Sequence, residues 1–414
     1  MHPVPFLKMN AATAVAAPGG NAPAQEADGV RPDQRLATRY CFGDPDMDLF
    51  FMAALGWGPT GGLDIGEACY VARQIVDGDP ESWVNAFSTY GAQLDREADA
   101  WRRRGHLRTA GEFRLKAFAS YRSSWQFAEP DGCFDALYAR HKQAFALAMQ
   151  ELDLPAAFFE VPWGAATLPG VFLQHANAAA PVVLVIGGAD TCFEDLFLTA
   201  GRNLFERGYS VALVDLPGQG NTAARGLYWT ADAEAPIAAV VDTLVERFHA
   251  VPRRIALLGL SLGGYFVARA AGHETRFATV MASTPFPDPA ELFALSVRAA
   301  GQRVEGTESA AAMRSRRMAL WKAGARSPQA FLARTAAMTA DPARVSVPFL
   351  SIIGAGDSPV FTLQAKSWHR DIRSARKSLV VLDAATGADG HVQVNNRLRL
   401  AQECCAWMDE IFAV

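Results

Sequence analysis

Apolar residues follow two different rhythms along this chain, and the rhythm changes at Pro155. Before it, over about residues 46–154, large apolar side chains recur every three or four positions: Ala68, Val71 and Ile75; Trp83, Phe87, Tyr90 and Leu94; Phe134, Leu137 and Tyr138, then Phe145 and Met149. That spacing lines one side of an α-helix. It predicts several antiparallel helices, one ending at Arg102-Arg103-Arg104-Gly105-His106 and the next running over 109–127, with no strand among them.

After Pro155 the apolar residues gather into short unbroken runs. Residues 159–161 and 168–173 read as a hairpin, and runs follow at 182–186, 210–214, 254–258, 278–282, 347–353 and 378–382. Helix-like stretches lie between them, at 193–206 and 237–248 among others. Short apolar strands alternating with helices predict an α/β fold, a mostly parallel sheet covered on both faces. The expected organisation is an N-terminal helical cap domain over 36–154 and an α/β catalytic domain over 155–414. A helical insertion at 287–344 precedes the strand that carries a candidate acid, and its Arg314, Arg316 and Arg317 read as a solvated helix face.

Residues 1–35 are rich in Ala, Pro, Gly and Asn. Such a segment buries too little apolar surface to offset its ordering entropy, so a disordered tail is expected. Lys8 is followed by Ala and Thr residues interrupted by Pro18 rather than by an apolar block, which argues against a cleaved export signal.

Composition narrows the functional classes. The chain has 414 residues, half of them hydrophobic, and a net charge of −4. Nothing in those totals points to nucleic acid or an anionic membrane surface. No apolar run approaches the ~20 residues that span a bilayer. The six cysteines show neither metal-ligand spacing nor the density of a disulfide scaffold. The expectation is a cytoplasmic protein with reduced thiols and no bound metal, acting on a small molecule, its composition compatible with a homodimer.

The chemistry is concentrated at strand ends. Gly259-Leu260-Ser261-Leu262-Gly263-Gly264 follows an apolar strand and precedes the helix-like Tyr265, Phe266, Val267 and Ala268. In that setting Gly-x-Ser-x-Gly makes a sharp turn that exposes the hydroxyl above a sheet, close to backbone amides of the next helix. Asp357 follows the run 349–356, and His391 lies in the loop after the final strand. A serine hydroxyl needs an adjacent base, histidine is suited to that task, and a carboxylate fixes the imidazole tautomer. Ser261, Asp357 and His391 are therefore the candidate catalytic set, with Asp383 and Asp389 as alternative acids. The amide of Leu262 and that of Gly188 or Ala189 are the candidate oxyanion donors. Tyr121, Arg122 and Trp125 are candidate pocket-lining residues, with ordinary helix packing as the rival account. The helical domain and the 287–344 insertion are the expected pocket walls.

Several segments also carry a resemblance. Gly187-Gly188-Ala189-Asp190 with Glu194, Asp215-Leu216-Pro217-Gly218-Gln219-Gly220 and the serine motif resemble one branch of the α/β-hydrolases. That branch includes 2,6-dihydroxypseudooxynicotine hydrolase and the fungal hydrolase that shortens a heptaketide. Glu81-Ser82-Trp83, Arg104-Gly105-His106-Leu107 and Phe118-Ala119-Ser120-Tyr121-Arg122 extend the likeness into the helical region. The resemblance implies hydrolysis of a carbon–carbon bond beside a ketone, or of an ester, by a serine triad without metal or organic cofactor. It implies a substrate-contacting role for Glu194, against an exposed carboxylate near a helix N-terminus. Acyl transfer or cyclisation through the same acyl-enzyme is the alternative activity, and a non-catalytic binding protein of the same fold is a third. Leu260 stands where the nicotine-degrading relative has a basic residue, which leans the implied substrate toward the polyketide-cleaving relatives.

Overall fold

The computed structural model describes residues 35–302 and 308–413. The expected disordered tail lies outside the described residues, except for Arg35, and so does the part of the insertion at 303–307. Arg35 itself is anchored: its guanidinium pairs with Asp46 and Asp190, and its carbonyl accepts the His391 amide.

Five helices come first: α1 Pro45–Gly56, α2 Ile65–Ala72, α3 Pro80–Arg103, α4 Leu107–Ser124 and α5 Gly132–Glu151. Their starts are chemically marked. The Asp44 carboxylate accepts from the amides of Asp46 and Met47 ahead of α1, and Asp64 with Glu67 forms a capping box at α2. Pro45 and Pro80 occupy first-turn positions where a missing N–H costs nothing.

Eight strands then form one sheet: β1 Ala156–Trp163, β2 Ala166–Leu173, β3 Val182–Ile186, β4 Ser210–Val214, β5 Ile255–Leu260, β6 Phe277–Ser283, β7 Phe349–Gly354 and β8 Lys377–Leu382. The spatial order is β1-β2-β4-β3-β5-β6-β7-β8. β3 to β8 run parallel, and the β1–β2 hairpin joins the edge antiparallel through β4. Every expected strand is present. β3, β4, β5 and β7 are buried along their whole length, which is why they read as unbroken apolar runs.

The connections are helical: α6 Phe193–Leu196 and α7 Arg202–Glu206, α8 Glu234–Phe248, α9 Leu262–Ala271, α10 Pro289–Gly301, α11 Ala310–Lys322, α12 Pro328–Thr335, α13 Pro359–Asp371 and α14 Arg397–Phe412. The single helix expected over 193–206 is interrupted by a π-helical turn at Phe197–Gly201. One apolar cluster runs from Trp83, Phe118 and Phe145 of the helical segment into Leu196, Phe197, Met281 and Met408, so this segment and one side of the sheet share a core. The other face is filled by Ile237, Val241, Phe266 and Trp368.

The insertion is fastened to the helical segment, and the expectation for Arg314 is corrected here. Its guanidinium is buried and reaches Glu81 at 2.6 Å, Glu129 at 2.9 Å and the Phe127 carbonyl at 2.7 Å. A charged residue on a helix reads as solvated unless a second element supplies acceptors, and α3 does so from more than two hundred residues away in sequence.

Candidate active site

β5 ends at Leu260, and Ser261 follows with φ 56° and ψ −121° before α9 begins at Leu262. A serine held at positive φ is strained, and the surroundings enforce it. A Cβ on Gly259 would lie 2.3 Å from the Gly263 carbonyl oxygen, and one on Gly263 would lie 2.5 Å from the carbonyl oxygens of Ile186 and Gly187. The turn thus closes only with glycine on both sides.

The structure brings Ser261, Asp357 and His391 together. Asp357 Oδ2 is 2.7 Å from His391 Nδ1, and His391 Nε2 is 2.9 Å from Ser261 Oγ. A carboxylate only accepts, so Nδ1 carries the proton and Nε2 is left to accept from the serine hydroxyl. Thr284 Oγ1 donates to the same Asp357 oxygen at 3.2 Å, and the Phe361 ring lies 4.7 Å from the imidazole. The alternative acids are occupied elsewhere. Asp383 caps a turn through the Thr386 amide, and Asp389 accepts from Asn395 Nδ2.

The loop after β3 runs beside the serine. A Cβ on Gly188 would stand 2.7 Å from Ser261 Cβ, so only glycine permits this approach. Its carbonyls are all held: Gly187 and Gly188 accept from Gln219 Nε2, Ala189 accepts from Lys322 Nζ at 2.7 Å, and Asp190 accepts from Arg122 Nη2. In trans peptides the N–H groups point opposite to the carbonyls, so this bonding fixes the orientation of the Gly188 and Ala189 amides. Across the serine, the Leu262 amide belongs to the first turn of α9, where N–H groups lack intrahelical acceptors.

Gln219 and Lys322 were not singled out in the sequence. Gln219 stands in the Asp215-Leu216-Pro217-Gly218-Gln219-Gly220 turn, a signal present without a stated role. Lys322 carried no signal, because its partner lies far away on the loop after β3. Burial pulls its ammonium below the usual lysine pKa. Gln219→Leu removes both bonds from Nε2, stranding the Gly187 carbonyl and leaving that of Gly188 to Thr191 Oγ1 alone. We expect a drop of about 10- to 100-fold in ester kcat/KM, and about 1–3 kcal/mol of lost stability in denaturant titration. A rate within twofold of wild type would show that the loop holds its orientation without Gln219.

A cavity of about 70 Å³ opens beside Ser261 and His391. Leu49, Phe50 and Ala53 of α1, with Trp57, make its apolar wall, and Val392 and Val394 face them. The helical segment therefore forms one wall, as expected. The 287–344 insertion does not: none of its described residues lines this cavity, and it acts from behind through Lys322. The loop that carries His391 and the start of α14 complete the lining.

Arg122 lines the cavity, while Tyr121 and Trp125 do not. Arg122 is salt-bridged to Asp195 through Nε at 2.5 Å, and its guanidinium carbon sits 3.8 Å from the Trp125 ring centroid. Trp125 supports Arg122 from behind. Tyr121 packs against Gly91 of α3 and hydrogen-bonds to Asp95 at 3.0 Å. Consecutive helix residues point about 100° apart, so neighbours on α4 face different partners.

Glu194 departs from both accounts given for it. It is 1% exposed, absent from the cavity lining, and 3.4 Å from His141 Nε2. With Cys192 these two form a tight buried group of metal-ligating types. Trp125 Nε1 donates to His141 Nδ1 at 3.0 Å, so the neutral ring carries its proton on Nε2 and points it at Glu194. Burial keeps His141 below its ordinary pKa and so neutral. In this tautomer the imidazole turns an N–H, not a lone pair, toward Glu194 and the Cys192 sulfur, while both Glu194 oxygens are buried without a hydrogen-bond partner among the described residues.

Comparison with known proteins bears on the family and the fold. The description "Prolyl oligopeptidase family" belongs to a family model that matches residues 198–414, more than half of the chain. The chain belongs to that family of α/β-hydrolases. A model for FrsA-like esterases also matches this hydrolase over residues 108–285. Among curated relatives, Hydrolyase poxO of Penicillium oxalicum is 29% identical over 253 residues, 58% of this chain and 60% of the relative. The 20-hydroxy-prefusarin hydrolase FUS2 of Gibberella moniliformis is 30% identical over 243 residues, 53% of this chain and 56% of the relative. The matched stretch thus spans less than two thirds of these relatives. The solved structure of 2,6-dihydroxy-pseudo-oxynicotine hydrolase superposes with a TM-score of 0.69 at 19% identity, covering 86% of this chain and 96% of that one. AbyA5 follows at TM-score 0.61 and 18% identity, covering 84% and 90%. These two likenesses show the shared fold, helical segment included. No helix among the described residues is long and apolar enough to cross a membrane.

Proposed function

We propose that this α/β-hydrolase cleaves a small acyl or β-diketone-type substrate, at a carbon–carbon bond beside a ketone or at an ester, with Ser261 as nucleophile, His391 as general base and acid, and Asp357 as its orienting carboxylate. The observation that carries the proposal is the continuous hydrogen-bonded chain from Asp357 through His391 to a strained Ser261 at the cavity floor. The cavity is small and walled largely by apolar side chains, which suits a small molecule rather than a polymer. The names of the relatives, hydrolases of an oxynicotine and of a prefusarin, support a small-molecule substrate of secondary metabolism.

In this mechanism Ser261 Oγ adds to the substrate carbonyl as its proton passes to His391 Nε2. The oxyanion is received by the Leu262 amide and by that of Gly188 or Ala189. The tetrahedral adduct collapses, expelling an alcohol or an enolate carbon that takes the proton back from His391. Water, activated by the same imidazole, then releases the acid and restores the hydroxyl.

Two measurements test the proposal. A fluorophosphonate probe is expected to label Ser261 and no other serine. With benzoylacetone and 4-nitrophenyl acetate in ¹⁸O-water, one labelled oxygen is expected in each acid product. A labelled serine whose acyl group reaches an acceptor without incorporation of ¹⁸O would replace hydrolysis with transfer or cyclisation. An unlabelled Ser261 in the folded protein would remove the enzymatic reading altogether.

A further inference from the structure

Three guanidinium groups border the cavity: those of Arg35, Arg122 and Arg397. Two have carboxylate partners. Arg35 pairs with Asp46 and Asp190, and Arg122 with Asp195, whose Oδ2 also accepts from the Cys192 amide. Arg397 differs. It is the first residue of α14, is 7% exposed, and among the described residues makes a single hydrogen bond, from Nη1 to the Val392 carbonyl at 3.0 Å. Its Nε is buried and has no partner among the described residues, and no carboxylate there forms an ion pair with it.

A buried cation without a counter-ion is costly, and a guanidinium cannot readily escape by giving up its proton. Burial, opposed by the Asp195 carboxylate and reinforced by Arg122, brings its pKa down only to about 10, so it stays charged at neutral pH. Its surroundings fix its place. Its side chain packs against the close of α1 beside Gly56, and the Val392 carbonyl it holds is in the residue after His391. Arg397 thus borders the same cavity as Ser261, at the end of α1. A neutral substrate would leave that charge uncompensated. An anionic oxygen would satisfy it with a charge-assisted hydrogen bond.

We propose that the cavity takes a substrate bearing an anionic oxygen, a carboxylate or the enolate of a β-dicarbonyl, and that the Arg397 guanidinium, which borders the cavity, binds that oxygen beside Ser261. This rests on the reading of Ser261 as nucleophile, and it makes Arg397 a specificity-determining residue. For an enolisable diketone the same contact stabilises the negative charge that develops on the departing carbon fragment.

The test uses the full chain and two esters of matched reach: mono-4-nitrophenyl glutarate, which carries a carboxylate, and 4-nitrophenyl pentanoate, which does not. The wild type is expected to favour the anionic ester by about 10- to 100-fold in kcat/KM, mostly through KM. That ratio is expected to fall to about unity in Arg397→Met, with part of it regained in Arg397→Lys. Arg397 also holds the loop beside His391, so its loss can lower turnover of both esters. Only loss of charge recognition changes their ratio. A wild type without preference, or an Arg397→Met variant that keeps it, overturns the proposal. If neither ester is turned over, the fault lies with the nucleophile assignment, and binding decides the present point instead. Glutarate and benzoylacetone, the latter at a pH where it is enolate, should each be tried as ligands that raise Tm. A rise with either one in the wild type that vanishes in Arg397→Met supports the proposal and tells carboxylate from enolate. Equal rises in both proteins, or none in either, overturn it.

Discussion

Ser261→Ala is expected to lower kcat by about 10⁴- to 10⁶-fold on any ester or diketone the protein turns over, while KM changes little. The hydroxyl is the atom that His391 Nε2 meets at 2.9 Å, and no other side chain hydrogen-bonds that nitrogen among the described residues. Alanine keeps the Cβ, so the positive-φ turn is as strained as before and the fold should melt within a few degrees of wild type. Ser261→Gly makes a sharper contrast. Glycine adopts φ 56° without the steric cost, so an equally inactive protein is expected that is more stable by about 1 kcal/mol, read as a raised Tm. Progress curves on 4-nitrophenyl acetate and thermal melts of the three proteins check both statements. Turnover by Ser261→Ala within 100-fold of wild type would remove the serine from the mechanism.

The parts of this molecule that could be read from sequence were those specified by neighbouring residues. β3, β4, β5 and β7 are buried throughout, so each appears as an apolar run bounded by turn residues, and the sheet could be laid out in order. Ser261, Asp357 and His391 each follow a strand, so the parallel sheet itself gathers them at the carboxyl ends of its strands. What could not be read depends on contacts between distant segments. Lys322 looks like any lysine at a helix end until the Ala189 carbonyl is placed against it. Arg397 looks like a surface arginine until α1 covers it and leaves its Nε without a partner. Tyr121 and Arg122 are adjacent in sequence, yet one faces α3 and the other the cavity, a difference set by the rotational phase of α4. Glu194 carried a resemblance to a substrate-contacting position, but His141 claims it from α5. Arg314 repeats the lesson on the insertion, where Glu81 turned an apparent surface charge into a fastening.

Asp357→Asn is expected to cost about 10⁴-fold in kcat, on the scale of the corresponding change in a serine protease. The carboxylate accepts from His391 Nδ1 at 2.7 Å and from Thr284 Oγ1 at 3.2 Å through the same oxygen. An amide can present its NH₂ to the imidazole instead, which favours the proton on Nε2 and turns a donor toward the Ser261 hydroxyl. The base is then blocked rather than removed. This makes the loss pH-dependent in a way that a packing defect would not be, because hydroxide at high pH can bypass the missing base and narrow the gap to wild type. Asp389→Asn serves as the comparison. Asp389 is buried in the same loop as His391, but its Oδ1 is engaged by Asn395 Nδ2 at 2.9 Å and its Oδ2 is packed near Gly356. Its loss should therefore register as lower Tm with kcat within about 10-fold of wild type. Activity profiles from pH 6 to 10, with melts for both variants, separate the two carboxylates. If Asp389→Asn proved the severe change and Asp357→Asn the mild one, the acid would have to be reassigned to Asp389, and the imidazole would have to turn away from the partner it now has.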